Sequence, residues 1–112
     1  MTDAELDQHR SSLLARLVEL DEEDQRGQDA RKTVELDQQA IGRLSRMDAL
    51  QNQAMAKAQA TRRSAQRVRI NAALTRIETS EFGYCTDCGE SLEPSRLAAD
   101  PSIPKCLSCT RG

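Results

Sequence analysis

The chain has 112 residues, of which 30% are charged and only 2% aromatic, and it has no tryptophan. So polar a chain of this length cannot bury a large globular core, and it has no apolar run near the roughly 20 residues of a membrane span. The formal net charge of −2 hides a strong segregation. Residues 1–37 hold eleven acidic and five basic side chains, residues 38–77 hold one acidic and eight basic, and residues 78–112 hold six acidic and three basic. An acidic arm followed by a basic arm would attract if the chain folded back on itself.

The N-terminal residues Met1-Thr2-Asp3-Ala4-Glu5-Leu6 show neither the basic n-region nor the apolar h-region of a signal peptide. Thr2 to Glu5 fits a capping box, with Thr2 as N-cap, and predicts a helix running to about Gln25. Leu6, Leu13, Leu17 and Leu20 recur on one helical stripe, which Leu14 and Val18 widen. Residues 21–33 carry no large apolar residue and include Gly27, so they read as the end of the first helix and a turn. A second helix is predicted from about Val34 to Thr79. It has an apolar set at Ile41, Leu44, Met47, Leu50 and Met55, a seam of small residues at Ala54, Ala58, Ala65, Val68 and Ala72, and a further stripe at Ile70, Ala73, Leu74 and Ile77.

Two hairpin registers compete. A turn at about 26–36 sets Leu6–Leu20 against Ile41–Met55, whereas a turn at Gly42–Asp48 sets Asp21–Asp24 against Arg62–Arg69. Buried Leu or Met side chains are worth about 1.5–3 kcal/mol each, and exposed ion pairs at most about 1 kcal/mol. The apolar match favours the earlier turn.

The C-terminal segment carries the chemistry. The chain's four cysteines form two C-x-x-C knuckles, Cys85/Cys88 and Cys106/Cys109. This spacing places four thiolates around one tetrahedral ion, with zinc as the default, one structural zinc per chain. Disulfides would need an oxidising compartment, and a thioredoxin-like motif would need a βαβ setting that the sequence does not show. Phe82 and Tyr84, the only aromatics, are placed to pack on the base of the helix, and Gly83 and Gly89 permit tight knuckle backbone. His9 reads as a solvated helix residue with no metal role. Four sulfur ligands leave zinc no open position, and no nucleophile–base set is visible, so an enzyme is not expected.

The expected fold is all-α dominated: an elongated antiparallel helical hairpin, or coiled coil, over residues 1–80, followed by a four-cysteine zinc finger over 81–112. The string Glu81-Phe82-Gly83-Tyr84-Cys85-x-x-Cys88-Gly89-Glu90, followed by Ser95-Arg96-Leu97 and Pro104-Lys105-Cys106-x-x-Cys109, resembles the DksA/TraR family of bacterial transcription factors. Ala72-Ala73-Leu74-x-x-Ile77-Glu78 fits the family's helix leading into the finger.

The resemblance implies a cytoplasmic regulator that binds RNA polymerase rather than specific DNA. Its hairpin would enter the secondary channel, with acidic groups at the tip near the active site, and would alter initiation. In better-studied members this occurs together with the alarmone ppGpp. The family's tip usually carries Asp-x-x-Asp-x-Ala, which this chain lacks. The candidate tip residues are therefore Glu35 and Asp37 at the earlier turn and Asp48 at the later one. Two other readings stand beside it. One is a nucleic-acid-binding zinc ribbon using Arg62, Arg63, Arg67 and Arg69. The other is a coiled-coil adaptor or homodimer using the alanine seam of residues 54–72.

Overall fold

The computed structural model describes residues 1–38 and 43–112, with side chains described for residues 1–29 and 46–112. Four helices are described in chain order: α1 (Asp3–Gln38), α2 (Arg43–Glu78), α3 (Pro94–Ala99) and α4 (Leu107–Arg111). No strand occurs among the described residues, only an isolated antiparallel bridge between Tyr84 and Ser91. The expected helical pair followed by a four-cysteine module is the observed architecture. No helix among the described residues is long and apolar enough to cross a membrane.

The chain divides into two compact units. One comprises Met1–Leu17 with Gln66–Gly112, and the other Val18–Ala65. The finger residues therefore share a unit with the first turns of α1 and the last turns of α2. α1 opens on Thr2, whose Oγ1 accepts the Glu5 N–H at 3.2 Å, as the capping box requires.

In the first unit, Nε and Nη2 of Arg16 donate to Gln66 Oε1 at 3.2 and 3.0 Å and set the antiparallel register. That register brings Leu13 level with Ile70 and Leu6 level with Ile77. Leu13, Ile70, Ala73 and Ile77 are buried, and Leu6 is half-buried. In the second unit, Arg63 Nε donates to Asp24 Oδ1, pairing acid with base across the two helices. Leu20 and Ala49 are buried there, and Gly27, Gln53, Ala56 and Ala60 are half-buried.

The less exposed positions fall three and four residues apart along each helix. On α1 they run Leu6, His9, Leu13, Arg16, Leu20, Glu23 and Gly27, flanked by Arg10, Leu17 and Asp24, and on α2 Ala49, Gln53, Ala56, Ala60, Arg63, Arg67 and Ile70, flanked by Gln66. This is the heptad phase of a coiled-coil seam.

The pairing of Asp24 with Arg63 is that of the later register, not the expected one, although Arg43–Asp48 of its turn are helical in α2. Residues 26–36 are helical, so the turn predicted there does not exist; α1 and α2 are separated by residues 39–42, which lie outside the described residues. The stretch has no proline, and its one glycine costs a helix about 1 kcal/mol, less than the paired seam recovers. A second apolar match offsets the one that favours the earlier turn. Leu6 and Leu13 pair in phase with Ile70 and Ile77 and need nothing from Met47, Leu50 or Met55. Those three are exposed, as are Leu14 and Val18, which were expected to widen the core stripe. Ala54, Ala58, Ala65, Val68 and Ala72 also lie on the solvent side of α2. Ile41 and Leu44 lie outside the residues whose side chains are described.

α2 ends in a Schellman motif. Glu81 N–H donates to Arg76 C=O at 2.8 Å, Ser80 N–H to Ile77 C=O at 3.4 Å, and Ser80 takes the left-handed conformation with φ of 62°. Glycine fills this position at no steric cost, and serine does not.

Two substitutions test this backbone. Gly27→Ala should raise stability by about 0.5–1 kcal/mol, because a Cβ there meets nothing nearer than Arg63 Nη2 at 3.4 Å and glycine is a poor helix residue. A turn at that position would give the opposite sign. Ser80→Gly should add about 1 kcal/mol by removing the left-handed strain. Thermal melts of both variants, read against the parent chain, check the signs.

Candidate metal centre

The site is built from a turn-hairpin on one side and a helix start on the other. Gly83, with φ of 93°, turns the chain out of the Schellman motif. A side chain there would be strained, and its Cβ would also sit 3.1 Å from Met1 Cε. Leu92 N–H then donates to Gly83 C=O at 2.8 Å, and Cys85 N–H to Glu90 C=O at 2.7 Å, making a short hairpin around the Tyr84–Ser91 bridge. Gly89, with φ of 76°, closes the first knuckle by donating its N–H to Cys85 C=O at 3.0 Å. Both glycines act as the spacing suggested.

The second knuckle is helical. Cys106 is the N-cap of α4, and Cys109 lies within it. Thr110 donates both its N–H and its Oγ1–H to Cys106 C=O at 2.9 Å, which holds this first turn closed. Two contacts tie the knuckles together. Thr86 N–H donates to Pro104 C=O at 2.9 Å, and Lys105 Nζ lies 3.2 Å from Asp87 Oδ2. Between the knuckles, α3 starts at Pro94 in the position where a missing N–H costs nothing, and Leu97 buries its side chain. Asp100 Oδ1 then accepts from both N–H and Oγ–H of Ser102, at 3.0 and 2.7 Å, which satisfies the buried serine.

These elements bring Cys85, Cys88, Cys106 and Cys109 together, with all four Sγ atoms within 4.8 Å of one another. Cys88 and Cys106 Sγ are 3.7 Å apart. Sulfurs about 2.3 Å from one tetrahedral ion lie about 3.8 Å from each other, whereas a disulfide needs about 2.05 Å. All four thiols are free. The spacing therefore suits a shared ion and not two cystines.

The electrostatics agree. The amide groups of Cys88 and Cys106 favour the Cys85 thiolate and hold its thiol down to about 6. The neighbouring thiols of Cys106, Cys85 and Cys88 push Cys109 up to about 12, because adjoining sulfurs cannot all carry charge in so small a volume. A cation between them removes that conflict, and ionising the thiols releases protons as it binds.

The surroundings differ from expectation at two residues. His9 is half-buried, its ring 5.3 Å from that of Phe82 and tilted by 46°. It is a seat for the finger on α1 and not a solvated residue. The α1 heptad phase of Leu6, His9 and Leu13 was the available signal for this placement. Phe82 is buried at the helix base as expected, but Tyr84 is half exposed. Among the tip candidates, Asp48 is exposed on α2, and the side chains of Glu35 and Asp37 lie outside the described residues.

No family model matches the chain. Over 41 residues, 37% of its length, the chain is 42% identical to the RNA polymerase-binding transcription factor DksA of Haemophilus influenzae, and the matched stretch spans 28% of that protein. Over 41 residues it is 37% identical to the Escherichia coli protein of the same name, spanning 27% of that protein. Among solved structures, the transcription factor DksA2 from Pseudomonas aeruginosa superimposes with a TM-score of 0.82 over 97% of this chain and 82% of that chain, at 19% identity. The chain is similar to DksA in a short stretch of sequence and to DksA2 in fold. Most of the length of the curated DksA relatives falls outside the matched stretch, so the DksA likeness rests on the whole-chain fold together with a short sequence match.

Metal removal checks the centre. One ion per chain should be found, and a strong chelator should abolish the contact between His9 and Phe82, because the hairpin that carries Phe82 is closed through Cys85. The readout is the ring-current shift of the His9 protons, lost on chelation and restored by adding metal back. Cys88→Ser should show the same loss without chelator.

Proposed function

We propose that the chain is a bacterial transcription regulator that binds RNA polymerase in the cytoplasm and modulates initiation through the helical pair. The observation that supports this reading most is the combination of a four-sulfur finger seated on α1 and α2 with the DksA2 fold along nearly the whole chain. The relatives' name as RNA polymerase-binding factors supplies the partner.

The ion is zinc. Four thiolates in a closed tetrahedral arrangement suit zinc, and a structural zinc contributes about 10–16 kcal/mol, far more than the few buried side chains of the finger could supply. Its role is to fix the finger against the helix ends. The chemistry that acts on the polymerase lies elsewhere, in carboxylates beside the connection between α1 and α2. Asp37 stands two residues before the undescribed segment 39–42, and Asp48 stands six residues after it. Either can present a negative charge at the end of the pair remote from the finger in sequence. Glu35 is the third candidate.

The test uses purified RNA polymerase and transcription from a panel of promoters, with and without ppGpp. Asp37→Asn and Asp48→Asn should each be made. The variant at the acting carboxylate should lose most of the effect on initiation while its affinity for polymerase stays within about fivefold of the parent, since a single exposed charge contributes about 1 kcal/mol or less to docking. Two variants with unchanged activity would remove both carboxylates from the mechanism. A parent chain with no affinity for polymerase would reject the reading.

A further inference from the structure

The two knuckles are joined by more than their sulfurs. Thr86 N–H donates to Pro104 C=O at 2.9 Å, Lys105 Nζ lies 3.2 Å from Asp87 Oδ2, and Cys88 Sγ lies 3.7 Å from Cys106 Sγ. These contacts fall at three successive positions with one offset of 18 residues, so residues 86–88 and 104–106 run side by side in the same direction. Thr86 and Asp87 are the two residues between the ligands of the first knuckle, and Pro104 and Lys105 lead directly into the second. A metal ion accounts for the third contact and for neither of the first two. Exposed ion pairs are common and mostly inert. This one differs in its place, because each partner adjoins a candidate ligand in the chain.

An ion held by four ligands leaves by steps. Cys85 is buried, Cys106 and Cys109 are half-buried, and Cys88 is exposed, so a competing ligand from solvent reaches the Cys88 sulfur first. Once that sulfur is detached, its return competes with release of the next one. Return is an intramolecular event, and its rate is set by how far the knuckle drifts. The backbone bond at Thr86 is one point of attachment and leaves the segment free to pivot. The Asp87–Lys105 pair is a second point, one residue nearer the ligand, and it keeps Cys88 beside Cys106 while its sulfur is free.

We propose that Asp87 and Lys105 are positioning residues for the metal centre: their ion pair clasps the first knuckle to the second and slows loss of the ion through Cys88. The inference rests on the four-sulfur zinc reading above and is independent of what the helical pair does. One exposed pair is too weak to hold the finger without metal, so full chelation still opens it, and the clasp acts on the rate of loss. The rival role for Lys105 is direct attraction to the thiolates, whose summed charge exceeds that of one divalent ion. The two roles separate at Asp87. Neutralising it breaks a clasp, whereas it strengthens a direct attraction by freeing the ammonium group.

The test is zinc release from the full chain, loaded with one ion, into an excess of a colour-forming chelator. Asp87→Asn and Lys105→Met should each speed release about three- to fivefold, the range of one exposed ion pair. The double variant should be no faster than either single one, because both changes remove the same link. Lys105→Arg keeps a cation within reach of Asp87 and should stay within about twofold of the parent. In the loaded protein, helical content and the ring-current shift of the His9 protons should be the same in all four variants, which separates positioning of the ligands from loss of the fold.

Release at the parent rate from both single variants would overturn the clasp and leave the zinc centre standing. Slower release from Asp87→Asn with faster release from Lys105→Met would overturn it in favour of direct attraction between Lys105 and the thiolates. Multiplying effects in the double variant would show that the two residues act separately, and would overturn the pair as the operative link. A parent chain that takes up no zinc would overturn the zinc reading and the clasp with it.

Discussion

The convergence of four thiols within 4.8 Å is the constraint on which the rest of the first unit depends. Sulfurs this close favour a cation or an oxidant, and their separation excludes the bonded distance of a disulfide. The hairpin, the start of α4 and the Thr86–Pro104 contact all serve to hold that convergence. In return, closure of the knuckles presents Phe82 to His9 and makes a base on which both helix ends pack. The buried set here comprises Phe82, Leu92, Leu97, Leu13, Ile70 and Ile77 with a few small residues, which is little for a free-standing fold. A bound structural ion, worth about 10–16 kcal/mol for zinc, would turn such a set into a stable base.

The four-cysteine cluster was legible in the sequence because cysteine spacing and paired glycines are local signals that do not depend on long-range pairing. The helical pair was legible for a similar reason, since heptad-spaced leucines and the absence of internal proline are visible in short windows. The turn was not. Its position follows from which of two apolar sets on α2 faces Leu6, Leu13 and Leu20, and that choice is a matter of helical phase, not of residue size. Met47, Leu50 and Met55 are larger than their neighbours but lie out of phase with Ala49, Ala56 and Ala60. His9 was misjudged on the same account. It lies in phase with Leu6 and Leu13, and being polar in type said nothing about which side of the helix it occupied.

Charge segregation then acquires a different meaning. Set against apolar pairing it is weak, at no more than about 1 kcal/mol per exposed contact. In the structure it accompanies the apolar match in the first unit instead of opposing it. Arg63 occupies a seam position where a large apolar side chain would otherwise be expected and is mostly buried, and Asp24 pairs with it from beside the α1 seam. A polar pair in a coiled-coil seam adds little stability but penalises a slipped register, because a shift by one heptad leaves a partly buried charge without its partner. Acid on α1 and base on α2 therefore specify which turns meet.

The seam of the second unit is made largely of small and polar residues, with Gly27, Ala49, Ala56 and Ala60 beside Leu20 and the Asp24–Arg63 pair. Small residues in a seam allow helices to approach closely but bury little area per turn. The same stretch of α2 displays Met47, Leu50 and Met55 outward, so its larger apolar groups are spent on the surface and not on the pair. A sequence selected only for hairpin stability would have exchanged these two sets, placing methionine and leucine inward and alanine outward, at no cost in helix propensity. The inverted arrangement is consistent with a helix whose outer face has its own requirement. Because Met47, Leu50 and Met55 lie out of phase with Ala49, Ala56 and Ala60, their size carries no information about the core.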